Sequence, residues 1–200
     1  VTATLAHGQV TGQYGDVFTF LSGSPCLDLT TTLQVRHQNS ARELLATPAD
    51  VTRWLEQAGL GAGIAVDTEG LRRIIALREV VNRLCRGTGR AEDRAALNAA
   101  AASPPLIPQW TGDTVEFRGD LRQALSTLAR DAITLLADRK SGRIRECDHP
   151  DCSRLFLDSS RSGRRRWCGM SSCGTKAKSA DYRRRNSDRA RRTGDDLRPE

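Results

Sequence analysis

The chain has 200 residues, enough for one domain of ordinary size with a buried core and a small appendage. Only 4% of residues are aromatic, so that core must be built from Leu, Ile, Val and Ala, and no apolar run nears the eighteen or so residues of a membrane span. The net charge of +7 lies wholly after residue 140, because residues 1–140 carry 15 Arg+Lys against 15 Asp+Glu; a neutral body joined to a basic end is the electrostatic footprint of a nucleic-acid binder. The first residues lack the basic-then-apolar order of a signal peptide, so a cytoplasmic protein without a membrane partner is expected.

Residues 1–15 show no period and read as a flexible lead-in. Val17, Phe18, Phe20 and Leu21 suggest a short strand ended by Gly23. Ser24 followed by Pro25 is a cap and a first-turn proline, predicting a short helix with Cys26, Leu27 and Leu29 inward and Asp28 as the odd charge among them. Ala41–Leu45 reads as loop or short helix. Thr47-Pro48 opens a helix of about three turns that puts Val51, Trp54, Leu55 and Ala58 on one face before Gly59 stops it. Beyond a Gly61/Gly63 linker, Asp67 or Thr68 caps a longer helix over 68–86, where Leu71, Ile74, Ile75, Leu77, Val81, Leu84 and Cys85 recur at intervals of three and four. An alanine-rich helix spans 91–102. Pro104, Pro105 and Pro108 break that pattern, and IPQWTGDTVEFRG predicts a hairpin about Thr111-Gly112-Asp113 in which Trp110 and Phe117 bury one face. The last long helix of the body, over 120–139, carries Leu121, Leu125, Leu128, Ala132, Leu135 and Leu136 in register; the pattern fails at Ser141-Gly142, and Arg143–Glu146 leads on extended.

The stretch CDHPDCSRLFLDSSRSGRRRWCGMSSC, Cys147 to Cys173, holds four of the six cysteines as two C-x4-C pairs fifteen residues apart. Each short spacer lets a tight turn aim two sulfurs at one point, and the insert is long enough for a β-hairpin that returns the second pair to the first. Cys147, Cys152, Cys168 and Cys173 therefore read as a four-thiolate zinc site. Two disulfides or a redox dithiol are the competing readings, but redox pairs use C-x-x-C and nothing directs the chain to an oxidising compartment. Four thiolates fill the coordination shell, so the Zn2+ is structural. His149, the alternative ligand, reads rather as a turn residue beside Pro150. Cys168 and Cys173 are expected to open a helix capped by Ser171 or Ser172, Asp158 and Ser159 to fix the hairpin through backbone bonds, and Trp167 either to pack on the metal knuckle or to stack on a base.

Within Arg161–Arg192, twelve basic residues meet only Asp181 and Asp188. Arg164, Arg165 and Arg166 in the hairpin turn and Lys176, Lys178, Arg183, Arg184 and Arg185 on the following helix are candidate phosphate contacts, the alternative being a solvated charge run. An enzyme is not expected: His7, His37 and His149 are scattered, no Ser/His/Asp or Cys/His grouping or phosphate-cradling glycine loop occurs, and the metal shell is closed. Asp28 and Arg78 are candidates for an effector pocket, against the ordinary readings in which Asp28 caps or salt-bridges a short helix and Arg78 faces solvent.

RIRECDHPDCSRLFLDSSRSGRRRWCGMSSCGTKAKSADYRRR resembles the CGNR-type zinc finger of bacterial regulators, with the four cysteines, the F-x-D-S after the first pair and the R-W-C before the second in their usual places. PCLDLTTT, TPADVTRWLEQAGL, LRRIIALREVVNRL and LARDAITLLA resemble, in order, the ABATE domain that accompanies it. The resemblance implies a stress-induced transcription regulator whose zinc module docks on DNA and whose helical body senses an effector or dimerises. Two positions depart from the pattern: the name-giving Cys-Gly-Asn-Arg is Cys173-Gly174-Thr175-Lys176, and Thr31 stands where the upstream motif has asparagine. The expected fold is α+β, comprising a flexible lead-in (1–15), a mainly helical ABATE-like domain with short strands (16–140), a treble-clef-like zinc module ending in a basic helix (141–192) and a flexible tail (193–200). DNA is the expected partner. RNA binding, and a zinc-stapled protein-interaction module without nucleic acid, are the alternatives.

Overall fold

The computed structural model describes residues 18–138 and 143–195, with backbone alone for 188–195; the lead-in, Val17, residues 139–142 and the last five residues lie outside them. The centre of the body is a helix of fewer than two turns, α1 (Pro25–Thr30), wedged between two long helices, α3 (Thr68–Cys85) and α5 (Leu121–Ala137). Cys26, Leu27 and Leu29 are fully buried there, as their spacing implied. Ser24 has the extended backbone of an N-cap, yet its hydroxyl donates to Asp131 of α5 at 2.5 Å, and the same carboxylate accepts the Cys26 amide at 2.9 Å. The cap of α1 thus comes from another helix. At the other end, the hydroxyls of Thr30, Thr31 and Thr32 each donate to the carbonyl three residues back (2.7, 2.8 and 2.8 Å), which satisfies three buried polar groups locally.

The remaining helices follow their written signals. α2 (Pro48–Gln57) opens with a capping box in which the Thr47 amide donates to Asp50 and the Asp50 amide to Thr47, and it closes on Gly59 (φ +68), where the Leu60 amide reaches the Leu55 carbonyl at 2.8 Å. Asp67 caps α3 through the Gly70 amide (2.7 Å), and a Cβ at Gly70 would collide with Leu121, so the glycine sets how closely α3 and α5 approach. α4 (Ala91–Ala101) lies over α3 and α5 with Leu97 buried; Asp93 pairs with Arg83 and accepts the Arg90 amide. Leu121, Ala124, Leu125, Leu128, Ala129, Ala132 and Leu135 line the buried face of α5.

Three expectations are corrected. Phe18–Leu21 forms no strand: the segment has no neighbour to pair with along its length and is pinned by the buried Phe18 ring, with the Arg53 guanidinium 5.3 Å above it, and by the Ser22 carbonyl, which accepts the Leu157 amide at 2.8 Å. Within Ala41–Leu45, strand β2 (Arg42–Glu43) pairs antiparallel with β1 (Leu33–Gln34), because Glu43 is held extended between the Arg78 guanidinium and the Leu45 amide. The hairpin of β3 (Ile107–Trp110) and β4 (Val115–Arg118) forms as read, but Trp110 is 83% exposed; it pairs with Val115 at the turn end, beyond the reach of the helices, and only Phe117 packs against the core.

A third hairpin, β5 (Ile144–Glu146) with β6 (Leu155–Leu157), carries the C-terminal module, and its side chains join the body: Leu155 lies in the main core and Ile144 and Leu157 pack against it. A π-helical turn, Met170–Gly174, leads into α6 (Thr175–Asp195), which runs three residues past the predicted boundary. The whole is α+β, as expected. Among the described residues no helix is long and apolar enough to cross a membrane. Asp131→Ala strips α1 of its cap, leaving the Cys26 amide without its acceptor and the Ser24 hydroxyl with only the Cys26 sulfur at 3.2 Å; urea unfolding of the zinc-loaded chain is expected to show a loss of about 1–3 kcal/mol, with Asp131→Asn nearer to wild type.

Candidate metal centre

Strands β5 and β6 flank the first cysteine pair. The Cys147 amide donates to the Arg154 carbonyl and the Cys152 amide to the His149 carbonyl, both at 2.9 Å, which closes Cys147–Cys152 into a knuckle at the hairpin's turn. The hairpin is therefore not contained in the fifteen-residue insert, as the spacing alone suggested; the insert supplies β6 and then a tight turn at Gly163 (φ +62). The Asp148 amide then bonds the Arg166 carbonyl (3.0 Å), and this brings Cys168 beside the first pair, its amide 3.4 Å from the Cys147 sulfur. Cys173 arrives on the π-helical turn, closed by the Gly174 amide on the Gly169 carbonyl five residues back (2.9 Å).

The four sulfurs lie within 4.8 Å of one another, with Cys152–Cys168 at 3.9 Å and Cys168–Cys173 at 3.7 Å. A disulfide needs about 2.0 Å. Zinc–sulfur bonds of about 2.3 Å in a tetrahedron give sulfur–sulfur edges of about 3.8 Å, so the donor set fits a structural Zn2+ held by Cys147, Cys152, Cys168 and Cys173. Burial and the neighbouring sulfurs push the Cys173 thiol up to about 11, and hydrogen bonding to Cys168 together with burial raises Cys152 as well. Such sulfurs ionise together only where a cation compensates them, and a coordinating dication deprotonates its thiols outright. His149 stays outside this set: its Nδ1 accepts the Asp151 amide at 3.1 Å, the turn role read from the sequence.

The support around the sulfurs differs in detail from expectation. Asp158 is fully buried and accepts the amides of Ser160 (2.9 Å) and Arg165 (2.8 Å); hydrogen bonding from Ser160 first, then from Arg165, holds its carboxyl at about 2. Ser160 takes part through its backbone amide, where a side-chain bond from Ser159 was expected. Neither Ser171 nor Ser172 caps the second knuckle: Ser172 donates to the Gly169 carbonyl, the direction opposite to a cap, and Thr175 donates to Met170 (2.8 Å). Arg165 is a brace, with Nε on the Trp167 carbonyl (2.7 Å), Nη2 on the Cys168 carbonyl and its guanidinium 4.6 Å above the Phe156 ring. Trp167 packs against the cluster of Cys147, Phe156 and Cys168, with Arg166 over its ring and paired with Asp148 (2.8 Å). Arg164, Lys176, Lys178, Arg183, Arg184 and Arg185 are exposed.

Against this geometry, a family model described as "Putative stress-induced transcription regulator", ABATE, matches residues 23–139, and the CGNR zinc finger model matches residues 143–186. The chain belongs to the ABATE family. Its metal centre is that of a CGNR zinc finger, and both matched descriptions are regulatory or structural. No curated protein matches the chain. In this ABATE chain the two departures have local uses: Thr175 secures the π-helical turn, and Thr31 donates to the Asp28 carbonyl.

The ABATE body and the zinc finger are joined by a polar seam that the sequence did not disclose. Arg86 of α3 forms a two-pronged pair with Glu146 (2.5 and 2.8 Å) and reaches the Ser153 carbonyl; the Arg36 amide donates to Ser153 Oγ (3.0 Å); Gln38 donates to the Pro150 carbonyl (3.0 Å), which His37 also meets at 2.8 Å; and Arg154 donates to the Thr19 carbonyl (3.0 Å). Asp28 belongs to this seam, accepting the Ser22 amide at 2.9 Å and lying 3.9 Å from Arg154. Arg78 is elsewhere: it is buried, two-pronged on Glu43 (2.6 and 2.7 Å) and bonded to Glu79, so it neither faces solvent nor partners Asp28. Neither residue lines the cavity of about 340 Å³ between α3, α4 and α5 or the one of about 200 Å³ between the β1 loop and the first knuckle. The zinc-loaded chain should hold one zinc by elemental analysis; Arg165→Ala is expected to weaken retention against a chelator on the order of tenfold, and Arg164→Ala to leave it unchanged.

Proposed function

We propose that the chain is a DNA-binding transcription regulator in which the zinc finger docks α6 on duplex DNA while the ABATE body orients it and senses an effector or pairs with a second copy. One observation carries this reading: over Thr175–Ser187 every residue of α6 is exposed except the half-buried Ala177. A helix that packs on protein has an apolar stripe, and this one has none. It is 21 residues long, about 30 Å, and over its described side chains it faces solvent from the knuckle outward.

Among the described side chains, Arg164, Lys176, Lys178, Arg183 and Arg185 have no ion-pair partner, whereas Arg165 braces the knuckle, Arg166 pairs with Asp148 and Arg184 pairs with Asp181 at 3.0 Å. Phosphates are the natural counter-charge for the first group. A straight helix of this length suits the open major groove of B-form DNA and is excluded from the deep, narrow major groove of A-form RNA, which favours DNA over RNA as partner. Five phosphate contacts predict a log affinity against log salt slope of about −4.5 or steeper. Lys178→Ala should flatten it by about 0.9 and Arg184→Ala by much less, read by fluorescence anisotropy on duplex DNA; a slope near zero for wild type would sink the proposal.

A further inference from the structure

The reading above says that α6 meets DNA and leaves open which side chains read bases. Ala177 is the one half-buried position of Thr175–Ser187, so its side of the helix is turned toward the knuckle. At about 100° per residue, Asn186 lies about 180° round from Ala177, with Ser179 about 20° to one side and Tyr182 about 40° to the other. These three, at the i, i+3, i+7 spacing of one stripe, share the outward face with Thr175, whose hydroxyl is already committed to the Met170 carbonyl at the start of the helix. Lys176 and Arg183 flank it on one edge and Lys178 and Arg185 on the other, while the Asp181–Arg184 pair occupies the inner side. Tyr182 is 61% exposed and belongs to neither buried cluster among the described residues.

We propose that Ser179, Tyr182 and Asn186 are the base-reading residues of α6, with the two cationic edges holding the phosphate rows on either side of the major groove; this rests on the DNA reading itself. A helix seated in the groove points its outer face at base edges and its flanks at the backbone. An uncharged stripe of hydroxyl, phenol and amide groups between two basic edges matches that division, since phosphate contacts need charge and base edges need paired donors and acceptors. Asn186 has the amide that pairs with adenine N6 and N7, so the preferred site contains an adenine read at this position. The one acidic residue described on this part of α6, Asp181, is turned away from the phosphates and neutralised by Arg184.

The test is selection of bound duplexes from a random pool with the full, zinc-loaded chain, repeated with Asn186→Ala and Tyr182→Phe. Wild type should enrich a site with adenine at one position; Asn186→Ala should lose the preference there by roughly tenfold, and Tyr182→Phe should relax a neighbouring position, with zinc content and the salt slope unchanged in both. The same enriched site in wild type and both variants, or duplex binding with no enrichment in wild type, overturns this inference and leaves the DNA reading standing. An equal loss of affinity for every duplex in Asn186→Ala, with the enriched site unchanged, makes the residue a phosphate contact and also overturns it. No duplex binding at all by wild type overturns both.

Discussion

Four sulfurs gathered within 4.8 Å are the constraint on which the C-terminal third depends. As thiols they attract one another weakly; as thiolates they repel until a dication binds them, and the binding free energy then becomes folding free energy, on the order of 10 kcal/mol or more. Phe156 is the only large apolar side chain fully buried within this cluster, so hydrophobic burial there is small and metal ligation must do most of the ordering. The buried Asp158 and the Arg165 brace then fix the backbone that presents Cys168, linking the four sulfurs to the hairpin behind them.

That ordering matters because the module is not a bead on a string. Leu155 completes the core of the body, and Ser22, Arg36, Arg86 and Arg154 bond across the seam. Short, directional contacts therefore tie α3 and the β1 loop to the zinc module from which α6 starts. Val35, a β-branched residue at φ +49, lies in that loop and lines the cavity beside Cys152, Cys173 and Lys176. The body and the zinc module thus share a core through Leu155, Ile144 and Leu157, and such packed interfaces hold discrete arrangements rather than deform smoothly.

The basic run divides by chemistry once its neighbours are known. Consecutive Arg164, Arg165 and Arg166 look alike in sequence, yet among the described side chains one has no ion-pair partner, one braces two carbonyls of the second knuckle and one pairs with Asp148 over Trp167. Over Thr175–Ser187 of α6 the same sorting sets Arg184 with Asp181 on the inner side and Lys176, Lys178, Arg183 and Arg185 on the edges of an uncharged stripe. A total charge therefore overstates the grip on a polyanion, and the arrangement of that charge around the helix is what separates holding from reading.

What could be read directly from the residues is what depends on near neighbours. Thr47-Pro48 with Asp50, Asp67 with Gly70, Asp120 with Gln123 and the stop at Gly59 are hydrogen-bond arrangements closed within a few residues, and the two C-x4-C spacers are short turns that aim sulfurs together. Periodicity likewise told the buried face of α5 from its exposed one. Tertiary structure alone decided that Asp131 caps α1, that Glu43 and not Asp28 meets Arg78, that Trp110 stands clear of the core and that Arg165 serves the knuckle. Apart from Arg165, those outcomes pair or separate groups dozens of residues apart, and all four turn on which surfaces come together, a choice made by the packing of the whole chain and carried by no local pattern.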